Sequence, residues 1–270
     1  VFCLIVITKI EVQKNSNDRF NIYIDRGNGE EFGFGVDSYV LANHQLSKGK
    51  VIDELDLEEI IYSDNIRKAY NKAINFLSSK KRTTNEVRKK LQDDEYQNTV
   101  VDEVLNKLIN QKYINDEDYS DSYVRTQKKV SKVGPRNIIR DLKDMGIDEH
   151  TINQSIENNY SKLEQIENVK YHISKYIKKY DKLSSRDKKE KSKIALISKG
   201  FNFDIIETIL LEIDLDEDDN NNALIYNLNK YMRKYSNLEE KEKNLKIKQA
   251  LYRKGFNLNE IDDALNNIEV

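Results

Sequence analysis

Side chains able to do acid–base, nucleophilic or metal chemistry are few and scattered in this 270-residue chain, which has three histidines and one cysteine. His44, His150 and His172 each stand without a second His or Cys at ligand spacing, so no zinc site is expected. A single cysteine, Cys3, excludes a disulfide framework and a Cys-based metal site. It also fits a reducing, cytoplasmic setting. The acidic run Asp216-Glu217-Asp218-Asp219 lacks the Gly and Glu spacing of a calcium loop. It reads instead as the N-terminal charge of a helix, favoured there by the helix dipole. Gly27, Gly29, Gly33 and Gly35 fall in a hairpin pattern rather than ahead of a helix. No glycine-rich loop ends in Gly-Lys-Ser/Thr, so phosphate cradling of the P-loop kind is not expected. Without converging acids, bases or a metal, neither catalysis nor a cofactor is expected.

What remains is positive charge. Lys80-Lys81-Arg82 falls at the joint between two expected helices, with Arg88, Lys89 and Lys90 on the second of them. Arg125, Lys128, Lys129 and Lys132 share faces of another helix, and Arg136 and Arg140 lie just beyond. Arg186, Lys188, Lys189, Lys191 and Lys193 form a third cluster. Lys and Arg are strong helix formers, so a solvated helix face is the plainest reading of any one of them. Chemically they suit phosphate or an acidic protein surface. The candidates for such contacts are Lys80, Lys81, Arg82, Arg88, Lys89, Arg125, Lys128, Lys129, Lys132, Arg136 and Arg140. The 16 tyrosines could stack on unpaired bases, but at helical spacing they fit core or rim packing.

The formal net charge of −2 comes from 45 basic and 47 acidic residues and hides a pattern. The net charge is −6 over 1–64, +5 over 65–115, −2 over 116–160, +3 over 161–215 and −2 over 216–270. Local clusters, not this balance, set the local field. No apolar run approaches the ~20 residues of a membrane span. The opening Val1–Ile7 is apolar but short, with no preceding basic residue and no small-residue cleavage pattern, so a signal peptide is not expected. The first residue is not Met, which suggests an alternative or processed start. One proline in the chain points to long uninterrupted helices.

The first 64 residues read as β structure. Ile10 and Val12, then Phe20, Ile22 and Ile24, then Phe32, Phe34 and Val36 alternate with polar or small residues, which predicts three half-buried strands. Asp25-Arg26-Gly27-Asn28-Gly29-Glu30 predicts a hairpin turn. Asp37 is placed to cap a short helix through Val40, Leu41 and Leu46. Three strands are marginal alone, so this head is expected to dock on a helix.

The remainder reads as helix and repeats. Leu91, Tyr96, Val101 and Leu105 are spaced by five, five and four residues. The same steps recur at Leu142, Ile147, Ile152 and Ile156, at Leu196, Phe201, Ile206 and Leu210, and at Leu251, Phe256, Ile261 and Leu265. Lys199-Gly200-Phe201-Asn202 matches Lys254-Gly255-Phe256-Asn257, and Tyr176, Tyr180 and Leu183 match Tyr231, Tyr235 and Leu238 at the same offset. Gly146, Gly200 and Gly255 sit where a helix should end in the left-handed conformation. Asp148, Asn202 and Asn257 follow as caps of the next helix. The first unit has Glu95 and Gln97 at those places. A longer amphipathic helix precedes each pair, carried by Ile66, Tyr70, Ala73, Ile74 and Leu77, by Tyr119, Tyr123 and Val130, by Ile166, Val169, Ile173 and Ile177, and by Leu224, Leu228, Tyr231 and Tyr235. The expected fold is mainly α. A small antiparallel β element with a short helix occupies 1–64. Three-helix repeats follow at 65–115, 116–160, 161–215 and 216–270, stacked as an extended, curved rod. A monomer is expected, because the repeats can satisfy one another.

Several stretches resemble the RecX regulatory proteins. They are Ala73 through Thr83 (Ala-Ile-Asn-Phe-Leu-Ser-Ser-Lys-Lys-Arg-Thr) with Glu86-Val87 and Leu91, then Tyr113 through Tyr119 (Tyr-Ile-Asn-Asp-Glu-Asp-Tyr), and Gly134-Pro135 with Ile138, Leu142, Gly146 and Ile147. The strand-rich head looks like that of the longer members. The resemblance runs from residue 8 to the end and rests on order and spacing rather than on any one motif. Ser120 departs from the family's usual Ala, but is small enough for the same gap. The resemblance implies a non-enzymatic modulator of RecA recombinase, acting in recombination control, DNA repair and the SOS response. Such a protein lies in the groove of the RecA filament on single-stranded DNA and restrains its ATPase and strand exchange. The residues alone leave two other readings open. One is a direct DNA-binding protein built on a helix-turn-helix plan. The other is a general α-solenoid scaffold.

Overall fold

The computed structural model describes residues 4–267, so Cys3 lies outside it. Two compact units emerge, residues 4–119 with 145–148, and residues 120–144 with 149–267.

In the first unit, β1 (Ile5–Val12), β2 (Arg19–Asp25), β3 (Glu30–Asp37) and β4 (Val51–Ile52) form an antiparallel sheet of order β3-β2-β1-β4. The short α1 (Ser38–Asn43) is capped by Asp37, whose carboxylate accepts from the Tyr39 N–H. The hairpin turn is closed by Asp25, which accepts from the N–H groups of Gly27 (2.6 Å) and Gly29 (3.0 Å). Both glycines have positive φ, so their freedom serves the turn. Three expectations change here. A fourth strand is present, two residues long and beyond the reach of periodicity. In β1 the buried face is set by Ile5 and Ile7, and a register shift between Ile7 and Lys9 leaves Val12 exposed. In β3, Phe32 is exposed, because the β2–β3 register shifts between Ile22 and Tyr23. A bulge of this kind reverses which residues face the core beyond it.

The helix α2 (Glu54–Leu77) serves two cores. Leu57 and Ile60 close the head's core over Ile5, Ile7, Ile22, Ile24 and Val36. Ile66, Ala69 and Ala73 enter the next core with Val87, Leu91, Val101 and Leu105. The head thus docks on a helix, as expected, but residue 64 falls in the middle of that helix. At that point the buried Asp64 binds Arg19 at 3.0 Å, Lys68 at 2.8 Å and the Asp37 N–H at 2.8 Å. Burial pushes its carboxyl up, but the hydrogen bonds from Arg19, Lys68 and the Asp37 N–H outweigh burial and hold it below the usual carboxylate range.

Among the described residues, twelve helices build the four repeats. They are α2, α3 (Thr84–Asp93) and α4 (Asn98–Asn110); α5 (Asp116–Thr126), α6 (Pro135–Asp144) and α7 (Glu149–Asn159); α8 (Lys162–Lys179), α9 (Ser185–Ser198) and α10 (Phe203–Glu212); and α11 (Glu217–Lys234), α12 (Glu240–Arg253) and α13 (Leu258–Asn266). The first, third and fourth apolar quartets lie in the hydrophobic cores of their repeats. Across all four quartets every residue is buried except Tyr96 and Ile156, which are half-buried. Asn202 and Asn257 cap α10 and α13, and Asp216 caps α11 with Glu217, Asp218 and Asp219 in its first turn. Gln97 precedes α4 without a side-chain cap. Val130, expected on a buried face, is exposed. A π-helical turn over Gln127–Ser131 follows α5, and the extra residue in that turn rotates Val130 off the buried stripe.

The glycine turns do more than end a helix. Gly146, Gly200 and Gly255 have φ of +81°, +86° and +80°. A Cβ on each would meet Asn85 at 2.5 Å, the Asn137 backbone N at 2.6 Å and Ser184 Oγ at 2.7 Å, respectively. Each turn therefore seats against the start of the second helix of the preceding repeat. Thr83 Oγ1 donates to Met145 O (3.0 Å). The N–H groups of Gly134 and Arg136 donate to Lys199 O (2.8 Å) and Gly200 O (3.1 Å). Ser184 Oγ donates to Lys254 O (2.7 Å). The following N–H is satisfied as well, Thr84 by Asp116 and Ser185 by Asn220. Pro135 stands at the equivalent place in the middle joint and has no N–H to satisfy. Glu95 takes the same left-handed conformation, with φ +63°, without being glycine.

Candidate functional site

The candidate cations sit at helix joints, and the folded chain neutralises many of them. Lys80 and Lys81 follow α2. Lys80 is exposed with no ion pair among the described residues, whereas Lys81 pairs with Asp118. Arg82 lies over the Phe76 ring at 4.2 Å and pairs with Glu86 at 3.3 Å, with its side chain only 17% exposed. Arg88 pairs with Asp102 at 2.6 Å on α4. Lys89, one residue on, is exposed and unpaired among the described residues.

The π-helical turn explains the next group. A π turn and the left-handed Lys132 that follows it (φ +49°) leave carbonyls without helical partners. Asn168 donates to Lys128 O at 3.0 Å, His172 Nε2 meets Lys132 O at 2.8 Å, and Tyr160 Oη donates to Val133 O at 3.0 Å. All three side chains are buried. The segment is thereby packed on α8, and its lysines go with it. Lys128 is 11% exposed and held by Glu164 and Asn159 O. Lys132 reaches Asn168 Oδ1 and lies over the Tyr171 ring at 4.9 Å. Arg125 is bound to Asn159 and Asp121. Lys129 and Arg136 are exposed and unpaired among the described residues. Among the described residues Arg140 pairs only with its neighbour Asp141, and it stays 65% exposed. Of the eleven candidates, Lys80, Lys89, Lys129 and Arg136 thus present free charge, with Arg140 close to it.

His172 is structural, and its burial pushes the imidazole pKa down, helped by the charges of Lys199, Lys175 and Lys132 against the opposing Lys132 carbonyl. The unfolded chain therefore takes up this proton first. Stability of the second unit is expected to be full above about pH 6.5 and to fall as pH drops below it. His172→Asn supplies the group found at the equivalent Asn227, which donates to Lys182 O at 2.8 Å. Thermal unfolding at pH 5 and pH 8 should show a smaller difference for H172N than for the parent chain. An unchanged difference would assign the pH dependence elsewhere.

His44 meets Ser63 Oγ at 3.0 Å, and no group of three or more His, Cys, Asp or Glu able to hold a metal occurs among the described residues. No helix among them is long and apolar enough to cross a membrane. Two features escaped the sequence. Arg67 lies between the rings of Tyr39 (5.1 Å) and Tyr70 (5.7 Å), beside Asp37 and against a cavity of about 400 Å³. Its ring partners are separated by 31 positions, so no local pattern announces it. The second is an aromatic–basic hollow of about 560 Å³ on α11 and α12, lined by Tyr231, Lys234, Tyr235, Lys246, Arg253 and Lys254 among others. Matching lysines at offset 55 were the available signal for it.

Comparison with known proteins agrees with this arrangement. Residues 5–53 match the family model described as the regulatory protein RecX N-terminal domain. Residues 69–108, 115–156 and 217–265 match the first, second and third three-helix domains of RecX. The third of these falls on α11–α13, so the α8–α10 repeat lies between matched segments. The "Regulatory protein RecX" of Bacillus cytotoxicus is 43% identical over 262 residues, 96% of this chain and 97% of that protein. That of Bacillus mycoides is 44% identical over 259 residues, 95% of this chain and 96% of that protein. A crystal structure of regulatory protein RecX superposes with a TM-score of 0.66 at 32% identity, over 76% of this chain and 98% of that one. RecX from Lactobacillus salivarius gives 0.54 at 38% identity, over 57% and 99%. A head of antiparallel strands, helix triplets joined by glycine turns, and relatives alike over almost their whole length converge on one conclusion: the chain belongs to the RecX family of regulatory proteins.

Proposed function

We propose that the chain binds along the RecA–single-stranded DNA filament, occupies its groove and restrains ATP turnover and strand exchange. Membership of the regulatory family carries the reading. The exposed, unpaired cations Lys80, Lys89, Lys129 and Arg136 supply the chemistry for an acidic recombinase surface or for phosphate. Several weak contacts on one chain reinforce one another through effective concentration. Occupying the groove obstructs incoming duplex and the subunit motions tied to ATP turnover.

The test is RecA ATPase on single-stranded DNA with the chain titrated in. The parent chain should inhibit. Lys80→Gln, Lys89→Gln, Lys129→Gln and Arg136→Gln together should raise the half-inhibitory concentration about tenfold, roughly 1.4 kcal/mol spread over four exposed charges. Neutralising Lys81, Arg82 and Arg88 should act mainly on folding, because their charges are already paired. Undiminished inhibition by the folded four-Gln variant would remove these residues from the contact. A filament that fails to retain the parent chain would overturn the reading altogether.

A further inference from the structure

The tyrosine–lysine cluster that lines the hollow of the fourth repeat has a counterpart in the third. Tyr231 and Tyr235 stack with centroids 6.0 Å apart and planes 9° from parallel, and Lys234 Nζ lies 5.4 Å from the Tyr235 centroid. In the third repeat, Tyr176 and Tyr180 stack at 6.0 Å and 19°, with Lys179 and Lys191 at 5.6 and 5.9 Å from the Tyr180 centroid. Five residue types coincide at one offset of 55: Tyr176 with Tyr231, Lys179 with Lys234, Tyr180 with Tyr235, Lys191 with Lys246, and Lys199 with Lys254. Core packing explains the tyrosines' buried edges. It does not explain why three lysines recur around them, since each could be any polar residue without loss to the core.

The charge around the fourth-repeat hollow is one-sided. Its lining holds Lys234, Lys246, Arg253 and Lys254 and no carboxylate. Among the described residues, Lys246 alone of these has an ion pair, with Glu242. The hollow at the π turn is different, because Glu164 and Glu167 line it beside its lysines. A paired aromatic wall ringed by cations, most of them without an ion pair among the described residues, suits a ligand that carries both flat apolar groups and anions. Repetition of the same set on successive repeats suits a polymer that repeats as well. We infer that the third and fourth repeats hold one single-stranded nucleic acid, with phosphates at the Lys and Arg groups and a base or sugar against each tyrosine pair. This goes beyond the filament reading, because it places strand contact in these two repeats and requires no recombinase.

The experiment is fluorescence anisotropy of a labelled 20-nucleotide oligo(dT) with the full chain over a salt series. Lys179→Gln, Lys191→Gln, Lys234→Gln and Arg253→Gln change four exposed side chains that make no hydrogen bond among the described residues. Together they should weaken binding at least tenfold and flatten the slope of log K against log salt by about 2 to 3, at about 0.7 per lost phosphate contact. A control variant, Lys14→Gln, Lys48→Gln, Lys112→Gln and Lys162→Gln, removes the same charge from exposed positions without an ion pair among the described residues and should stay within twofold of the parent. Equal weakening of both variants, no weakening of the first, or no binding by the parent chain overturns the inference. Retained oligo(dT) binding with lost poly-glutamate binding by the first variant assigns the two tyrosine–lysine clusters to an acidic polypeptide and overturns it too. Parent binding to oligo(dT) without ATPase inhibition leaves this inference standing and sinks the filament reading; inhibition without oligo(dT) binding does the reverse.

Discussion

Replacing Asp64 by Ala is expected to destabilise the head and first repeat by about 3 kcal/mol, because it leaves a buried backbone donor and a largely buried guanidinium without their acceptor. Asp64 is 2% exposed and accepts from Arg19 Nη1 and Nη2, Lys68 Nζ and the Asp37 N–H. The contributions are unequal. Lys68 is 44% exposed, and such a pair is worth well under about 1 kcal/mol. The Asp37 N–H and Arg19 carry most of the cost. Asp37 also caps α1 and binds Arg67 at 3.2 Å, so the damage should spread to that helix. Amide exchange in β2, β3 and α1 should accelerate while α12 and α13 keep their protection. A loss below about 1 kcal/mol would show that water replaces the carboxylate readily. The same group gives the acid limit of this unit. Its stabilisation is present above the ordinary aspartate value and is lost as pH falls below it, because the folded carboxyl is held low.

Gly134→Ala should be at least as severe, at about 4 kcal/mol, combining overpacking against backbone with the loss of two hydrogen bonds. A Cβ there would lie 2.2 Å from Gly200 C, 2.3 Å from Gly200 O and 2.3 Å from Phe201 N. None of these atoms can turn aside as a side chain would. The Gly134 and Arg136 N–H groups would draw away from Lys199 O and Gly200 O. The expected signature is local: faster exchange at those two amides and new protease cleavage near Lys132. Full protection at both amides would mean that the joint relaxes without opening.

The repeats were legible because their cores are local. Leu196, Phe201, Ile206 and Leu210 lie within 15 residues of one another, so spacing alone exposes them. The clasp between repeats was half legible. The left-handed glycines follow from helix endings, but the close approach of Asn85, Asn137 and Ser184 comes from residues 61, 63 and 71 positions upstream. The candidate site was the least legible part for the same reason. Lys81 is neutralised by Asp118, Arg88 by Asp102 and Lys128 by Glu164, and these partners belong to other helices. Local phase errors explain the remaining misses, since one inserted residue at Ile7–Lys9 or in the π turn inverts or rotates everything after it.

The clasp has two dissimilar halves, a receiving helix start and a glycine turn. The second and third repeats carry both, with Gly134 and Gly146 in one and Ser184 and Gly200 in the other. The first has only the start at Thr83. In the fourth, Glu239 stands where Ser184 stands in the third and offers no hydroxyl. The middle repeats therefore behave as couplings with matching ends. A duplicated copy of residues 161–215 could be spliced in beside the original with acceptor and donor already in place. Growth by whole units at that position, rather than by loop insertion, is the route to a longer member that this joint chemistry leaves open.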